Sequence, residues 1–517
     1  MRESSTTGVQ QCLSILDLVS DVLGTILGLL RPPDLICVRL TCKCFRDASI
    51  QRTVWVEVLN EMMKEHGIPT PTYPVSKLDR RSLERLALSP KAFHRKLNCA
   101  RSSGSVTPTF VQHLIPDLDK TQMGAYGLQP TQRMQISAFV PGGRFLITNR
   151  SANKNYDVAF LQLWDLGIYT HLQQPKCIVN FVLDTGPRCV PRADRIRLAP
   201  SLDGTEFILI ACRRHESLAV GGLDTVIEGV KIKPFAPQPS AVTFTKFTLD
   251  GFSIDTCIIT SNRMVAVLKP GCLLVWDFLK DEVAIWKSMH FSIKTDKLCT
   301  KIQMFGDRLL AFHESILVLW DIPNSIPRSH WREHLTEDTM LQAPRTVYDL
   351  ADYGWPNNPE TKLRCLPPNV WNLWSNLPDY LVVFTTRLLP TLLLFHFDQL
   401  KNNSTTKLAL EQTMKHLDTF VGNYDVGDSS YNAPRTCDTH VVFSSFRESD
   451  GVRLHLISRS SNTDNVGSIK VDWLTSQGYN ISQSVICPAT GRMCISVFSQ
   501  SRYQILILDF LNTPSLF

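Results

Sequence analysis

The sequence predicts a multidomain fold: a small all-α module at the amino terminus, followed by a long all-β region. Near the start, apolar residues recur at three- and four-residue steps, which is the spacing of an amphipathic helix. From about residue 105, short apolar and β-branched runs alternate with Gly, Pro, Asn and Asp, which is typical of strands and turns. We expect a helical module at 10–62, a helical, proline-containing connector at 63–104 and the β region at 105–517.

The charge of the chain is concentrated in one place. The formal net charge is +6, and all of it lies within 77–101, where eight Lys and Arg residues stand against two acidic residues. Phe93 is the one aromatic residue in that stretch, so the interleaved basic and aromatic pattern of a nucleic-acid surface is missing. We expect a solvated face on the connector and no nucleic-acid partner.

The cysteines indicate the compartment. The chain has 15 cysteines, scattered singly and without a CxxC pair, and an odd number cannot all pair within one chain. This usage is typical of a reducing compartment. We therefore expect a cytoplasmic and/or nuclear protein.

The apolar run at 13–30 is interpreted as a helix rather than a membrane span or a signal peptide. Asp17 and Asp21 lie inside it, and a central Asp costs about 2.5 to 3.5 kcal/mol on insertion into a membrane. The start carries one Arg and one Glu, without the basic region of a signal peptide. We therefore expect no membrane partner.

The first helix should place its apolar residues on one face. That face consists of Val19, Val22, Leu23, Ile26, Leu27 and Leu30, with Asp21, Gly24, Thr25 and Gly28 opposite. Ser20 or Asp21 can cap its start, and Pro32-Pro33 should end it.

Two short helices and a fourth helical segment should follow the first helix. We expect Asp34 to cap the second helix and Thr41 the third. The segment from Val54 to Leu59 also looks helical. A module this small buries little surface alone, so an exposed apolar surface would indicate a docking site.

These residues resemble an F-box in their order. The elements that carry the resemblance are Leu18-Val19-Ser20-Asp21-Val22-Leu23, Ile26-Leu27, Leu30, Pro33-Asp34-Leu35, Val38, Cys42-Lys43, Phe45-Arg46 and Val54-Trp55. Val19 stands where the family has a proline, and Asp21 stands where glutamate is commonest.

The F-box resemblance implies that the module binds the Skp-type adaptor of a cullin–RING ubiquitin ligase. The expected contact residues are apolar positions of the first two helices: Leu18, Val19, Val22, Leu23, Ile26, Leu27, Leu30, Pro33, Leu35 and Val38.

The connector should contain short helices at 79–88 and 90–97. Ser89-Pro90 fits an N-cap followed by the first helical position, because proline is favoured there. The segment is similar to the tether that holds an F-box apart from its recognition domain.

A repeated Trp-Asp strand end marks the β region. It occurs at Trp164-Asp165, Trp276-Asp277 and Trp320-Asp321, with degenerate forms at Phe397-Asp398 and Leu508-Asp509. Adding unmarked strands near 230 and 456 gives a spacing of about 40–55 residues, which resembles a WD-repeat β-propeller of about seven blades. The Gly-His partner of the Trp-Asp pair is missing from every repeat. A pair of β-sandwiches is the alternative.

A long interval between Asp321 and Phe397 should form a loop on one face. It contains Trp331, Trp355, Trp371 and Trp374, which either pack the insertion onto its blade or anchor a substrate. For the second case we expect Arg328, Trp331 and Arg332 to bind the substrate.

Motifs for catalysis and metal binding are missing. The sequence has no GxSxG, P-loop, HExxH or dinucleotide-binding glycine motif, and the spacing of Cys37, Cys42 and Cys44 fits no zinc pattern. We expect no catalytic residue, cofactor or metal.

By resemblance, the leading hypothesis is a non-catalytic substrate-recognition subunit of an SCF-type ubiquitin ligase, with an unknown protein as its target. The alternatives are a propeller scaffold without a ubiquitin role and, less favoured, a propeller hydrolase.

Overall fold

The computed structural model describes residues 15, 18–114, 134–151, 158–168, 174–184, 196–216, 223–260, 262–269, 271–288, 301–305, 307–313, 316–330, 341–349, 363–365, 380–385, 391–396, 413–416, 435–437, 440–447, 451–458, 466–472, 479–499 and 502–511. Its helices are α1 (Ser20–Gly28), α2 (Pro32–Arg39), α3 (Lys43–Ser49), α4 (Arg52–Glu65) and α5 (Arg80–Ser103). Within these residues, no helix combines the length and apolar character needed to cross a membrane.

The first helix begins as the apolar spacing predicts, but its predicted cap is wrong. Val19 occupies the N-cap position in extended conformation, and no side chain caps the helix. The hydroxyl of Ser20 instead accepts a hydrogen bond of 2.8 Å from Nε2 of Gln51, at the start of α4. Asp21 lies in the first turn, where its charge is favourable to the helix dipole.

The caps predicted for the next two helices are also wrong. Pro32 and Pro33 open α2 rather than only ending α1, because the first turn of a helix needs no intrahelical amide donors. Asp34 therefore lies inside the first turn of α2. The hydroxyl of Thr41 donates back to the carbonyl of Val38 at 2.8 Å and caps nothing downstream.

The connector contains one long helix instead of the two short ones predicted. Helix α5 runs for 24 residues with Pro90 inside it. Because Pro90 has no amide hydrogen, it cannot donate to the carbonyl of Leu86. The hydroxyl of Ser89 lies 2.7 Å from that oxygen and supplies a donor in its place. Helix α5 therefore continues through the proline.

The β region is built of seven sheets among the described residues, most of them four-stranded. The strands in chain order are β1 (Ser105–Val106), β2 (Phe110–Leu114), β3 (Met134–Phe139), β4 (Phe145–Ser151), β5 (Val158–Asp165), β6 (Lys176–Asp184), β7 (Ile196–Pro200), β8 (Phe207–Glu216), β9 (Leu223–Lys233), β10 (Ser240–Leu249), β11 (Ser253–Ile259), β12 (Arg263–Lys269), β13 (Cys272–Asp277), β14 (Glu282–Ser288), β15 (Lys301–Phe305), β16 (Arg308–His313), β17 (Ile316–Asp321), β18 (Ile326–Pro327), β19 (Leu341–Gln342), β20 (Thr346–Asp349), β21 (Leu363–Cys365), β22 (Tyr380–Thr385), β23 (Thr391–His396), β24 (Thr413–His416), β25 (Arg435–Cys437), β26 (His440–Arg447), β27 (Gly451–Ser458), β28 (Val466–Val471), β29 (Asn480–Cys487), β30 (Arg492–Ser499) and β31 (Arg502–Asp509).

Each sheet contains four antiparallel strands in the up-and-down order of a propeller blade, and the short strands β1 and β19 join two of the sheets in parallel orientation. The first six blades begin at β3, β7, β11, β15, β21 and β25. The seventh blade combines β29–β31 with β2 from the start of the β region, whose Phe110 pairs with Asp509. This pairing joins the two ends of the β region and closes the ring, which removes open sheet edges between them. The prediction of an all-β propeller with about seven blades is confirmed.

All seven sequence markers fall on or directly after the third strand of a blade. The third strands of the first six blades are β5, β9, β13, β17, β23 and β27, and β31 occupies the same position in the last blade. Phe397-Asp398 follows β23 directly and lies outside the described residues. Each sequence marker therefore corresponds to one blade, as the repeat spacing predicts.

An arginine contacts each aspartate that ends one of four marked strands. The closest atom pairs are Arg144 Nη2 to Asp165 Oδ2 at 2.7 Å, Arg263 Nε to Asp277 Oδ2 at 3.5 Å, Arg345 Nη1 to Asp321 Oδ2 at 3.0 Å and Arg492 Nε to Asp509 Oδ1 at 2.6 Å. In these blades an ion pair holds the strand end where the Gly-His partner is missing.

The helical module and the propeller share one core. A single buried cluster includes Leu83 and Leu86 of α5, Leu146 and Trp164 of the first blade, and Ile505 of the last blade. The segment between α4 and α5 therefore does not act as a loose tether.

Polar contacts fix the same junction. The hydroxyl of Tyr73 donates to the carbonyl of Gly142 at 3.0 Å, and Nη1 of Arg144 donates to the carbonyl of Thr72 at 2.9 Å. Gly142 has a φ of +91°, and a Cβ there would lie 2.8 Å from Thr72. Further along, Nζ of Lys96 donates to the carbonyl of Phe510 at 2.6 Å. The module is thus held rigidly against the first and last blades.

These contacts lie at one end of the propeller. Gly142 is in the turn between β3 and β4, and Phe510 directly follows β31. We call this the module end; it carries the turns between the first and second strands and those after the third strand. The opposite end, where second strands lead into third strands, is called the open end. The module contacts named above all lie at the module end.

Candidate functional site

One side of α1 and its flanking residues is apolar and exposed. This exposed apolar face consists of Leu18, Val19, Val22, Ile26 and Leu29. Val19 is 67% exposed and Leu29 is 84% exposed, although both are large apolar side chains. Val22, Ile26 and Leu29 follow at steps of four and three residues, so they align along one side of the helix.

The other side of α1 is buried against α4. Leu23 and Leu27 are almost fully buried, and Gly24 and Gly28 lie beside them. A Cβ at Gly28 would lie 3.3 Å from Cβ of Glu57. The expectation that Gly24 and Gly28 lie on the face opposite the apolar residues is therefore wrong: they lie beside Leu23 and Leu27 and let α1 approach α4 closely.

The structure divides the ten predicted adaptor residues into three groups. Leu18, Val19, Val22 and Ile26 are exposed; Leu30, Pro33 and Val38 are half-buried; and Leu23, Leu27 and Leu35 are interior. The interior side chains hold the module together, so a partner could reach them only if the module rearranged.

Sequence reasoning missed two of the most exposed apolar residues. Leu29 follows α1, and Leu40, which follows α2, is 80% exposed. The step from Val22 and Ile26 to Leu29 was a signal in the sequence. The sequence analysis assigned the last position of the apolar face to Leu30, which is half-buried, and left out Leu29.

A network behind the face fixes α2 to the connector. Trp55 is fully buried, and its Nε1 donates to the carbonyl of Ser49 at 2.9 Å. The guanidinium carbon of Arg39 lies 5.4 Å from the Trp55 ring centroid. Arg39 also donates from Nη1 to Oε1 of Glu84 at 2.8 Å, which ties α2 to α5. The exposed apolar face therefore sits on a preorganised support.

Three cysteines lie near this surface as free thiols. Cys37 and Cys44 are exposed, and Cys42 is half-buried. Across the described ranges, no group of three or more His, Cys, Asp or Glu residues could hold a metal ion.

Arg328, one of the residues expected to bind a substrate, lies on the propeller and not on the exposed apolar face. Arg328 pairs through Nε with Oδ1 of Asp281 at 2.6 Å, and its guanidinium carbon lies 4.8 Å from the Phe247 ring centroid. It follows β18, which pairs with the start of β14 at the module end. Arg328 thus anchors its own segment to the third blade. Trp331 and Arg332, like Trp355, Trp371 and Trp374, lie outside the described residues.

Comparison with known proteins identifies the helical module. A family model described as the F-box domain matches residues 15–57. The helical module is an F-box domain. The match covers α1, α2, α3 and the first turns of α4, so the exposed apolar face belongs to the F-box.

Solved structures similar to the chain include β-propellers, at low identity. The WD40 domain of SCAP from fission yeast shares 12% identity at a TM-score of 0.37, covering 72% of this chain and 82% of that one. A chain of the mitotic checkpoint complex shares 9% identity at a TM-score of 0.40, and the match covers 79% of this chain and 97% of that one. YCF48 from Cyanidioschyzon merolae shares 8% identity at a TM-score of 0.37, and the match covers 78% of this chain and 99% of that one. No curated protein matches the chain. The assignment of the β region as a propeller therefore rests on the sheet topology of this chain.

Proposed function

We propose that this F-box protein is the substrate-recognition subunit of an SCF-type cullin–RING ubiquitin ligase. The exposed apolar face of the F-box is the observation that carries the proposal. A contiguous apolar surface of this kind marks an interaction site, because it gains free energy when a partner removes it from water.

The proposed partner of this face is a Skp-type adaptor, the partner implied by the F-box. The face includes four of the ten residues predicted from the sequence, and we add Leu29 and Leu40 to the proposed contact set. Leu23, Leu27 and Leu35 act behind it as the core that holds α1 and α2 in place.

The propeller is proposed to hold the target protein. Because the F-box packs at the module end of the propeller, we propose the open end as the surface that receives the target. A rigid junction fixes the distance between target and adaptor, so a bound target stays at high effective concentration near the ligase machinery. In this role the chain itself needs no catalytic residue and acts in the cytoplasm and/or nucleus.

The proposal is tested by introducing charges on the exposed apolar face. We expect the double variant Val22→Asp/Ile26→Asp to lose at least about tenfold in adaptor affinity, because it removes apolar contacts and buries charge at the interface. Both side chains are exposed in the free chain, at 44% and 37%, so the fold should persist. Titration calorimetry with the purified adaptor measures the affinity.

The matched control is Val242→Asp on β10, where the valine is 59% exposed. It should bind the adaptor like the wild type. An aspartate at Leu27 would be uninformative, because this residue is only 2% exposed and the module would unfold. Unchanged affinity in the double variant would overturn the assignment of the face. If the wild type does not bind the adaptor at all, the result favours the alternative that the chain is a propeller scaffold without a ubiquitin role.

A further inference from the structure

Arg150, in the second strand of the first blade, is a buried arginine that no described carboxylate accompanies. Its side chain is 4% exposed, and its Nε is buried without a hydrogen-bond partner. Among the described residues, no carboxylate lies within ion-pair distance of its guanidinium group. Burial lowers the pKa of Arg150 to about 10, so the group remains charged near neutral pH.

Other buried arginines of the propeller have the partner that Arg150 lacks. Arg213 is ion-paired with Glu228, and Arg492 is ion-paired with Asp509. A buried cation without an opposite charge is strongly unfavourable, because the protein interior does not replace its hydration. Of these three buried arginines, Arg150 alone has no opposite charge beside it among the residues that the structure describes.

The position of Arg150 follows from the alternation of side chains along β4. Leu146, four residues earlier, belongs to the cluster shared with Ile505 of the last blade. Phe145 and Ile147 belong instead to the cluster shared with the second blade. Because alternate residues of a strand point to the same face, Arg150 shares the face of Leu146. It therefore lies at the seam between the first and last blades, near the open end.

A bridging water would not resolve this arrangement. Gln162 shares a face with Thr148, its partner in the adjacent strand, and with Arg150, and its Oε1 is also buried without a hydrogen-bond partner. Nε2 of Gln162 donates to Oδ1 of Asn180 at 3.2 Å, so the amide is held in place. A water between Gln162 and Arg150 would satisfy hydrogen bonds and leave the positive charge unbalanced.

We propose that Arg150 binds a small oxyanion, either phosphate or a carboxylate, at the seam between the first and last blades. The planar guanidinium presents parallel N–H donors that match two oxygens of such a group. Because the same seam closes the ring, the bound anion stabilises the closed propeller. This site is independent of the proposed adaptor surface.

The test compares anion-dependent stability of the full chain with and without Arg150. Urea unfolding midpoints are measured with increasing sodium phosphate or, separately, sodium acetate, at constant ionic strength. The wild type should gain stability with a saturable dependence on at least one of the two anions. The anion that saturates at the lower concentration identifies the preferred ligand.

The variant Arg150→Met should be at least as stable as the wild type without the anion, and its saturable response should disappear. Phosphate also strengthens apolar burial in general, so only the difference between the two proteins reports the site. Lys246→Met, at an exposed position on β10, should keep the wild-type response. Arg150→Gln serves as a second variant that also removes the charge.

Two outcomes overturn the proposal. If the urea unfolding midpoints of the wild type and both Arg150 variants change equally with anion concentration, the anions act as a general salt effect and Arg150 binds none. Arg150 variants that are less stable than the wild type without the anion would show that the chain itself compensates the charge. The Arg150 variants should bind the adaptor with the affinity of the wild type. Measuring that affinity therefore tests the ligase role separately from the oxyanion site.

Discussion

Arg492 and Asp509 form a buried ion pair in the last blade, with Nε 2.6 Å from Oδ1 and Nη2 3.0 Å from Oδ2. Nη1 of Arg492 also donates to the carbonyls of Gly143 and Gly167, each at 2.8 Å. Both glycines belong to turns of the first blade. One side chain thus links the two blades that close the ring.

The variant Asp509→Asn should destabilise the chain strongly. It leaves the Arg492 guanidinium buried without its opposite charge, and breaking a buried pair in this way costs about 3–5 kcal/mol in the free energy of unfolding. Urea unfolding measures the loss. The control is Asp321→Asn, whose pairing with Arg345 is about half exposed and is worth about 0–1 kcal/mol. Similar losses in both variants would contradict the linking role of Arg492.

His455 on β27 makes stability depend on pH. Burial, and then the charge of Arg453, lowers the pKa of His455 from 6.5 to about 3. Below pH 6.5 the unfolded chain binds a proton at this histidine and the folded chain does not. Stability from His455 is therefore complete above about pH 6.5 and is lost progressively down to about pH 3.

The expected effect is a difference between two proteins. Between about pH 7.5 and pH 5, the wild type should lose about 2 kcal/mol more unfolding free energy than His455→Gln, which cannot be protonated. Urea unfolding at the two pH values gives the comparison. Parallel pH dependence in the two proteins would mean that His455 is protonated as easily in the folded chain as in the unfolded one.

Val19→Pro should stabilise the F-box. Val19 has a φ of −61° and a ψ of 148°, close to the backbone of proline, and its amide donates no backbone hydrogen bond among the described residues. Proline restricts the unfolded chain, so we expect a gain of about 0.4–1 kcal/mol in unfolding free energy. Thermal unfolding measures the gain.

The matched control is Ile26→Pro inside α1, which should cost about 3 kcal/mol or more. Adaptor affinity of Val19→Pro should equal or exceed that of the wild type, because the exposed apolar face keeps its other members. A loss of stability in Val19→Pro would show that the start of α1 differs from the geometry described.

Ser89→Ala should weaken α5 at its internal proline. The variant removes the hydroxyl that lies 2.7 Å from the carbonyl of Leu86 and 2.5 Å from the carbonyl of Ala489. The hydroxyl has one proton and donates to one of these carbonyls at a time; leaving that buried carbonyl without a donor costs about 1–3 kcal/mol, measured as the change in unfolding free energy. Ser102→Ala is the control, since its hydroxyl donates to the carbonyl of Cys99 at an exposed position. Equal effects of the two changes would refute the role given to Ser89.

The order of the blades could be predicted from the sequence because its signal is local. A Trp-Asp pair at the end of a strand stands close to its own turn, and the interval between pairs reflects one four-stranded unit. The arginine that pairs with each strand-end aspartate could not be predicted from the sequence in the same way. Arg263 lies opposite Asp277 in the paired strand, whereas Arg345 reaches Asp321 from the bend before β20.

The errors in the helical region have a common cause in contacts between distant residues. The hydroxyl of Ser20 accepts a hydrogen bond from Gln51 at the start of α4, and the hydroxyl of Ser89, next to the proline inside α5, lies 2.5 Å from the carbonyl of Ala489 in the last blade. Spacing alone also could not separate Leu27, which is buried against the core, from Ile26, which is exposed. Both belong to one apolar stripe, and the glycines beside Leu27 decide which side packs.

Amide hydrogen exchange of the full chain, with and without saturating Skp-type adaptor, tests the docking surface most directly. The exposed apolar face predicts slower exchange in peptides that cover residues 18–40. Strands β16 and β17 of the fourth blade, which lies across the ring from the first and last blades, should exchange at the same rate in both states. Unchanged exchange over residues 18–40, or protection confined to the propeller, would contradict adaptor binding through this face.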